Sequence, residues 1–321
     1  MKQLIFDTNF LREWFYIQGK KYSQEEASKF KTLLKSKGFI VHVPNHVVIE
    51  LLCNLLKNDI EAKESSFFAL KILSYLSINK VENDQEKRNM SPGFQAIYCN
   101  YFFGEVFEQI SNNEFFINAL FWCYLNDEDK SQEKNYLKII DDCLKKQKED
   151  EILQLLNHVK RLIKKYNNGV VDWKSFKNEE QKKQLKSLYK SKELHRDFLE
   201  SQLLSVVLYH KDDSELPKMR DLKTGMKDFK IALDFYISFI YQELVMGNDL
   251  DFTQNMEVRK KWNSFYDYQL ILACEYENAF NKETILITND GSIVEVFKKH
   301  KKENLVMKRD DFLNSIYPVL K

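Results

Sequence analysis

Glycine and proline are scarce in this chain of 321 residues, which contains 8 of the first and 4 of the second. Both residues interrupt helices, so their scarcity favours long helices and few tight turns. Cysteine is sparse as well. The five cysteines are odd in number and form no C-x-x-C pair. This pattern argues against a structural zinc site and is typical of a reduced, cytoplasmic protein.

Neither sign of charge is in excess, since charged residues make up 30% of the chain and sum to a formal charge of +1. The total charge therefore indicates no particular partner, and a nucleic-acid surface would have to arise from local clustering. Long apolar runs are missing too, and the first apolar run is too short for a signal peptide. We therefore expect no membrane span.

The chain does contain a periodic apolar pattern, and that pattern changes along its length. Residues 2–7 and 39–44 are expected to form short buried strands, each followed by a helix. Ser23, with Glu26 three residues later, is expected to begin a helix over 23–36, and Asn45 is expected to cap a helix over 46–57. Residues 283–288 and 303–307 are expected to form two further strands near the C-terminus, with helices over 264–279, 292–300 and 309–316. Strands that alternate with helices are typical of a parallel sheet with helices on both faces, so these segments predict a three-layer α/β/α arrangement.

Between these ends, from about residue 60 to residue 260, the sequence shows almost only helical periodicity and no convincing strand. Helices are expected near residues 61–79, 94–111, 113–125, 132–146, 149–166, 178–191, 193–211 and 226–246. A segment of that length is too long to be an unstructured loop within a compact domain. The simplest interpretation is an α/β domain formed by residues 1–60 and 262–321. Residues 61–261 would then form a mostly α-helical insertion domain.

Four acidic residues occupy positions where such a sheet would bind a ligand. Asp7 and Asp290 follow predicted strands, while Glu50 and Asp267 lie in the first two turns of predicted helices. Ligands bind outside the carboxyl ends of parallel strands, and helix N-termini face the same crevice. Clustered carboxylates repel one another unless a cation is present, and oxygen ligands alone suit Mg²⁺ or Mn²⁺.

Each acid also has a purely structural interpretation. Asp7 could cap the helix that follows it, and Asp267 could form a capping box with Ser264. Asp290 precedes a glycine in a common turn pair, and Glu50 lies at the margin of an apolar helix face. The four acids taken together, rather than any one of them, favour a functional site.

The segments around these acids resemble the sequence motifs of PIN-domain nucleases. In chain order, the four segments are LIFDTNFL (residues 4–11), PNHVVIEL (44–51), SFYDYQLILACEY (264–276) and LITND (286–290). The first resembles the opening strand and D-T-N-x-L motif of the family, and the last resembles its T-x-D segment. The second and third resemble the segments that carry the middle two acids.

The resemblance implies a metal-dependent endoribonuclease that hydrolyses phosphodiester bonds with metal-activated water, and RNA as a substrate in preference to DNA. The implied ligands of one or two Mg²⁺ or Mn²⁺ ions are Asp7, Glu50, Asp267 and Asp290. The implied supporting residues are Asn9, Thr288 and Asn289. A toxin or phage-defence role, with a protein inhibitor or antitoxin as partner, is compatible with the resemblance. The gap between the second and third acids is much longer than in small PIN domains, so a substrate unlike theirs is compatible with the sequence.

Residues 158–196 are locally basic. Within them Lys182, Lys183 and Lys186 are candidates for contact with a phosphate backbone. The equally plausible alternative is a solvated helical face.

Two other functions remain open at this point. A PIN-like scaffold without catalytic activity could bind RNA or a protein partner, although the presence of all four acids argues against it. A hydrolase of the haloacid-dehalogenase type also begins with a strand that ends in Asp. That family needs a second Asp two residues later, where this chain has Asn9.

Overall fold

The fold is known from a computed structural model. It describes residues 1–17, 23–82, 85–104, 117–121, 125, 133–209 and 220–317. The chain divides into two compact units. Unit 1 consists of residues 1–97, 106–144 and 273–321, so it contains both ends of the chain. Unit 2 consists of residues 98–105 and 145–272.

The strands are short and the helices make up most of the described chain. In chain order the strands are β1 (Lys2–Phe6), β2 (Phe39–Val41), β3 (Val43–Pro44), β4 (Ile78–Glu82), β5 (Gln85–Arg88), β6 (Met90–Ser91), β7 (Thr284–Ile287) and β8 (Val306–Met307). The helices are α1 (Thr8–Ile17), α2 (Gln24–Ser36), α3 (Asn45–Leu55), α4 (Ile60–Ser77), α5 (Phe94–Phe103), α6 (Glu133–Tyr166), α7 (Glu179–Ser191), α8 (Glu193–Tyr209), α9 (Leu222–Asp228), α10 (Lys230–Met246), α11 (Ser264–Ala279), α12 (Gly291–Lys299) and α13 (Arg309–Ile316).

A parallel sheet of four strands, in the order β2-β1-β7-β8, forms the centre of unit 1. Strand β1 is apolar and buried along Leu4, Ile5 and Phe6, as expected of a parallel strand covered on both faces. The chain leaves β1 toward β2 on one side and later returns to pair β7 with its other side. The expectation of a mixed α/β class is confirmed by this small parallel sheet and by the many helices around it.

Two expectations about strands were wrong. The strand predicted over residues 39–44 breaks at His42 into β2, which pairs with β1, and β3, which pairs with β6. The region predicted to lack strands contains β6 and the antiparallel hairpin of β4 and β5. Strand propensity did not reveal these elements, because available pairing partners decide whether a short polar segment becomes a strand.

Two expectations about helices also differ from the structure. The helices predicted over 132–146 and 149–166 form one helix, α6, of 34 residues. No glycine or proline separates the two predicted segments, so nothing local breaks the helix. The helix predicted over 226–246 is divided at Phe229, which has non-helical backbone angles.

The helix predicted over 113–125 lies largely outside the residues that the structure describes. No helix within the described ranges is long and apolar enough to cross a membrane.

Candidate active site

The carboxyl ends of β1 and β7 bring Asp7 and Thr288 together in unit 1. The two strands are in register, with Phe6 beside Ile287, so the next residue of each strand stands at the same edge. The backbone N–H of Asp7 donates to the carbonyl of Ile287 at 3.0 Å, which extends the ladder to the end of β1. The Thr288 hydroxyl then donates to Oδ2 of Asp7 at 2.7 Å.

Asp7 is buried, with 7% of its surface exposed. Its Oδ1 accepts hydrogen bonds from the Thr8 hydroxyl at 3.2 Å and from the Asn9 backbone N–H at 3.4 Å. Burial raises the pKa of Asp7, the hydrogen bonds from Thr288, Asn9 and Thr8 oppose that rise, and the negative charge of Asp290 adds to it. The net direction is upward, so the ionised carboxylate is held at a cost that a bound cation would relieve.

Asp290 is linked to the same point through Thr288, whose hydroxyl oxygen accepts the Asp290 backbone N–H at 3.0 Å. Its Oδ1 accepts the backbone N–H groups of Ser292 at 2.8 Å and Ile293 at 3.0 Å, and so caps helix α12. The structural interpretation of Asp290 as a turn or cap residue is therefore correct for one oxygen. No hydrogen bond to its Oδ2 comes from the described residues, and the charge of Asp290 has a small effect on the Asp7 carboxyl group.

The two asparagines of the predicted site differ in their contacts. Asn9 is exposed and contributes its backbone N–H to Asp7. The Asn289 side chain instead joins two helices, since its Oδ1 accepts the Arg309 backbone N–H at 3.1 Å and its Nδ2 donates to Glu13 at 3.5 Å. Arg309 also forms an ion pair with Glu13. Sequence reasoning missed Glu13 and Arg309, because no local pattern connects residues this far apart in the chain.

The structure places Glu50 and Asp267 in different units. Glu50 lies in the second turn of α3 in unit 1 and is partly exposed. Asp267 lies in the first turn of α11, is also partly exposed, and belongs to unit 2. The assignment of Asp267 to a common site therefore stays a prediction from the sequence.

The first turn of α3 is more buried than the sequence indicated. Asn45 was expected to cap this helix, but it is its first residue, and Pro44 stands at the cap position without a side-chain hydrogen bond. The Asn45 amide and Nε2 of His46 are buried without a hydrogen-bond partner among the described residues. Burial lowers the pKa of His46 to about 3, so this ring is neutral and supplies no charge.

The donor set at the strand ends was compared with what a divalent cation requires. Within the described ranges, no group of three or more His, Cys, Asp or Glu side chains is placed to hold one metal ion. The pair formed by Asp7 and Asp290 still suits Mg²⁺, because protein sites commonly supply one or two carboxylates and leave the remaining positions to water and substrate phosphate. The oxygen-only donors therefore fit this class of cation.

The three lysines proposed for nucleic-acid contact lie on α7 in unit 2. Lys182 forms an ion pair with Glu179 at 3.0 Å, while Lys183 and Lys186 are exposed. The Tyr189 hydroxyl on the same helix is hydrogen-bonded to Ser238 at 2.9 Å. Its ring lies 5.3 Å from that of Tyr241, so this aromatic residue takes part in packing between helices.

Comparison with other proteins adds no family to this description. No protein-family model matches the chain, and no curated protein and no solved structure matches it. The chemistry of Asp7, Thr288 and Asp290 therefore has to be inferred from their own geometry.

Proposed function

We propose that the protein is a metal-dependent nuclease, most specifically an endoribonuclease with a PIN-like α/β/α domain and a helical insertion. Its substrate would be RNA in preference to DNA, and its cofactor Mg²⁺ or Mn²⁺. The preference for RNA derives from the sequence resemblance to PIN-domain nucleases.

One observation carries the proposal: Asp7 and Asp290 follow the two strands between which the chain order of the parallel sheet reverses, and the Thr288 hydroxyl is hydrogen-bonded to both residues. Strand β1 has β2 on one side and β7 on the other, so the crevice between β1 and β7 is the topological switch point. Open α/β sheets bind their ligands at that point, outside the carboxyl ends of the strands. Here the crevice contains a buried carboxylate with a raised pKa and a second carboxylate two residues beyond its hydrogen-bond donor.

In the proposed reaction, each residue has a separate role. Asp7 and Asp290 would hold the cation, which supplies an activated water and stabilises charge on the phosphodiester. The Thr288 hydroxyl fixes the orientation of the Asp7 carboxylate through its bond to Oδ2. Glu50 and Asp267 would complete the site according to the sequence resemblance.

A cleavage assay with matched variants tests this proposal. A mixed pool of labelled single-stranded RNA and DNA is incubated with Mn²⁺ or with EDTA. We expect metal-dependent cleavage of RNA by the wild type and a loss of about 100-fold or more in Asp7→Asn and Asp290→Asn, because ligand charge is removed. Asparagine is as good a helix cap as aspartate, so Asp290→Asn should keep α12 intact.

Asp59→Asn provides the matched control. Asp59 caps α4 in the same unit through hydrogen bonds from the backbone N–H groups of Glu61 and Ala62, and it belongs to neither strand end of the crevice. This variant should cleave as the wild type does. Equal activity in Asp7→Asn and the wild type would exclude the assignment of Asp7.

A catalytically inactive scaffold that binds RNA or a protein partner is the second candidate, and the capping of α12 by Asp290 is the observation that favours it. Titration calorimetry with Mn²⁺ separates the two functions. The nuclease should bind Mn²⁺ at millimolar concentration or below, and Asp7→Asn should weaken that binding. A scaffold should bind none.

A further inference from the structure

Helices α6 and α8 of unit 2 border an open groove of about 420 Å³. Four of the side chains that line it, Gln154, Asn157, Arg161 and Lys164, recur every three or four residues along α6. That spacing places them on one face of the helix. Lys160 and Gln202 also line the groove, the second from α8.

The groove is electropositive. Its lining contains three cations and, as far as the chain is described, no acidic residue. Lys160 forms an ion pair with the buried Asp251, with 2.5 Å between its Nζ and Oδ2 of Asp251. Arg161 and Lys164 are exposed and make no hydrogen bond or ion pair within the described ranges. Two full positive charges therefore face the groove without a counter-charge from the described chain.

A neighbouring lysine of α6, Lys165, is neutralised by ion pairs. Lys165, the neighbour of Lys164, forms ion pairs with Glu193 at 3.0 Å and Asp197 at 2.9 Å. One residue along α6 thus separates a lysine with two acidic partners from a lysine with none in the described chain. The difference follows from the helix face on which each lysine lies.

The charge of Arg161 also reaches the buried side of α6. Burial lowers the pKa of His158 to about 3, and the positive charge of Arg161 contributes in the same direction. Burial raises the pKa of Tyr236, and Arg161 opposes that rise. His158 is therefore neutral and adds no charge to that of Arg161.

We propose that this groove binds a phosphate ester, with Arg161 and Lys164 on the phosphate. A guanidinium can donate two parallel hydrogen bonds to phosphate oxygens, and a lysine beside it adds a second charge. The volume lies within the range of small-molecule sites, about 300–1,000 Å³. The exposed amide side chain of Asn157 offers both a donor and an acceptor to the group that the phosphate carries.

Two sources can supply this chemistry: a mononucleotide, or a phosphate within a single-stranded nucleic acid. Binding of three fluorescent probes, measured by anisotropy in EDTA, distinguishes them. The probes are a 5′-mononucleotide, the corresponding nucleoside and an eight-residue oligonucleotide. The chelator removes divalent metal, and all groove residues belong to unit 2, so this proposal does not depend on the nuclease proposal.

The test variant is Arg161→Gln with Lys164→Gln. The matched control is Lys223→Gln with Lys227→Gln, since these two lysines of α9 are also exposed, lie in unit 2 and remove the same charge. We expect the test variant to bind at least one phosphate probe about tenfold more weakly, with a shallower salt dependence, and the control to bind it within about twofold of the wild type. Unfolding temperatures verify that both variants fold.

Loss of mononucleotide binding in the test variant would identify a small ligand, and loss restricted to the oligonucleotide would identify a strand phosphate. Either result supports the proposal. It is overturned if no phosphate probe binds, if the nucleoside binds as tightly as the mononucleotide, or if both variants weaken binding equally.

Discussion

The carboxylates of unit 1 and the groove cations of unit 2 are held in place by opposite means. Asp7 is buried, and its closest hydrogen-bond partner, Thr288, lies 281 residues away in the chain. Arg161 and Lys164 are exposed, and they share a face because they are three residues apart on one helix. The first arrangement depends on the complete fold of unit 1, whereas the second requires only that α6 is helical.

Substitutions in the two regions should therefore differ in their effect on stability. A buried charge whose partners come from distant segments contributes or costs several kcal/mol, because water cannot replace those partners. An exposed charge on a helix surface contributes little. Three predictions, ordered from the largest expected effect on stability to the smallest, test whether the contrast between the units holds.

The largest effect is expected at Glu277, a second buried carboxylate of unit 1 that lies on α11 and is 2% exposed. Its Oε1 lies 3.2 Å from Nε2 of His42 and accepts the Ser91 hydroxyl at 3.2 Å. Its Oε2 lies 3.0 Å from the Lys282 ammonium. We expect Glu277→Gln to lower the free energy of unfolding by about 2 kcal/mol, because it weakens the hydrogen bonds made to a buried carboxylate. Urea denaturation at pH 7 measures this loss.

The loss should depend on pH. Burial raises the pKa of Glu277, but His42 and Lys282 lower it by more, and the net direction is below the ordinary value of 4.5. A lowered pKa stabilises the folded state above the unfolded value and ceases to do so as the pH falls through the folded value. Wild type and Glu277→Gln should therefore differ most in stability above pH 4.5 and converge as the pH falls through the lower pKa of the folded protein. Glu283→Gln, which removes an exposed ion pair with Lys2, should cost less than about 1 kcal/mol at any pH.

An effect of opposite sign is expected at Asp7, whose pKa is raised in the folded state. The folded protein then binds the proton more tightly than the unfolded chain, so ionisation at neutral pH lowers stability. Asp7→Asn should raise the unfolding temperature at pH 7, and the gain should shrink as the pH falls toward the unfolded value near 3.8. Differential scanning calorimetry between pH 4 and 8 provides the measurement. A lower unfolding temperature at pH 7 would mean that Asp7 is a structural residue.

The smallest effect on stability is expected for the joint replacement of Lys182, Lys183 and Lys186 with Ala. These residues lie on the outer face of α7, so the free energy of unfolding should change by no more than about 0.5 kcal/mol for each. If they contact a phosphate backbone, RNA binding should weaken and its dependence on salt should flatten. If the dependence of RNA binding on salt is unchanged, these three lysines form a solvated helical face and do not contact RNA.

Sequence reasoning was most accurate where local pattern decides structure. The helix predicted over 264–279 matches α11, and the helix predicted over 309–316 matches α13. Ser23 caps α2 and accepts the Glu26 backbone N–H at 3.3 Å, as the spacing of those two residues predicted. Each of these features depends on side chains within a few positions of one another. Local energy terms therefore suffice to determine them.

Predictions from the sequence failed where local structure depends on a partner far away in the chain. The break at His42 arises because β3 pairs with β6, a segment almost fifty residues away with no strand signal of its own. The roles of Glu13 and Arg309 beside Asn289 were missed for the same reason. Such pairings depend on which backbones the folded chain brings side by side, and no window of sequence contains that information.

Four features follow from the amino-acid sequence alone: the α/β class, the strand before Asp7, the strand before Asp290 and the basic stretch over residues 158–196. Apolar periodicity and local composition encode these features directly. The folded structure was needed to show that Thr288 donates to Asp7, that one oxygen of Asp290 caps a helix, and that Lys165 forms ion pairs whereas Lys164 forms none within the described residues. Hydrogen bonds and ion pairs of this kind extend over about 3 Å, and the distances between residues far apart in the chain are set by the packing of the whole unit.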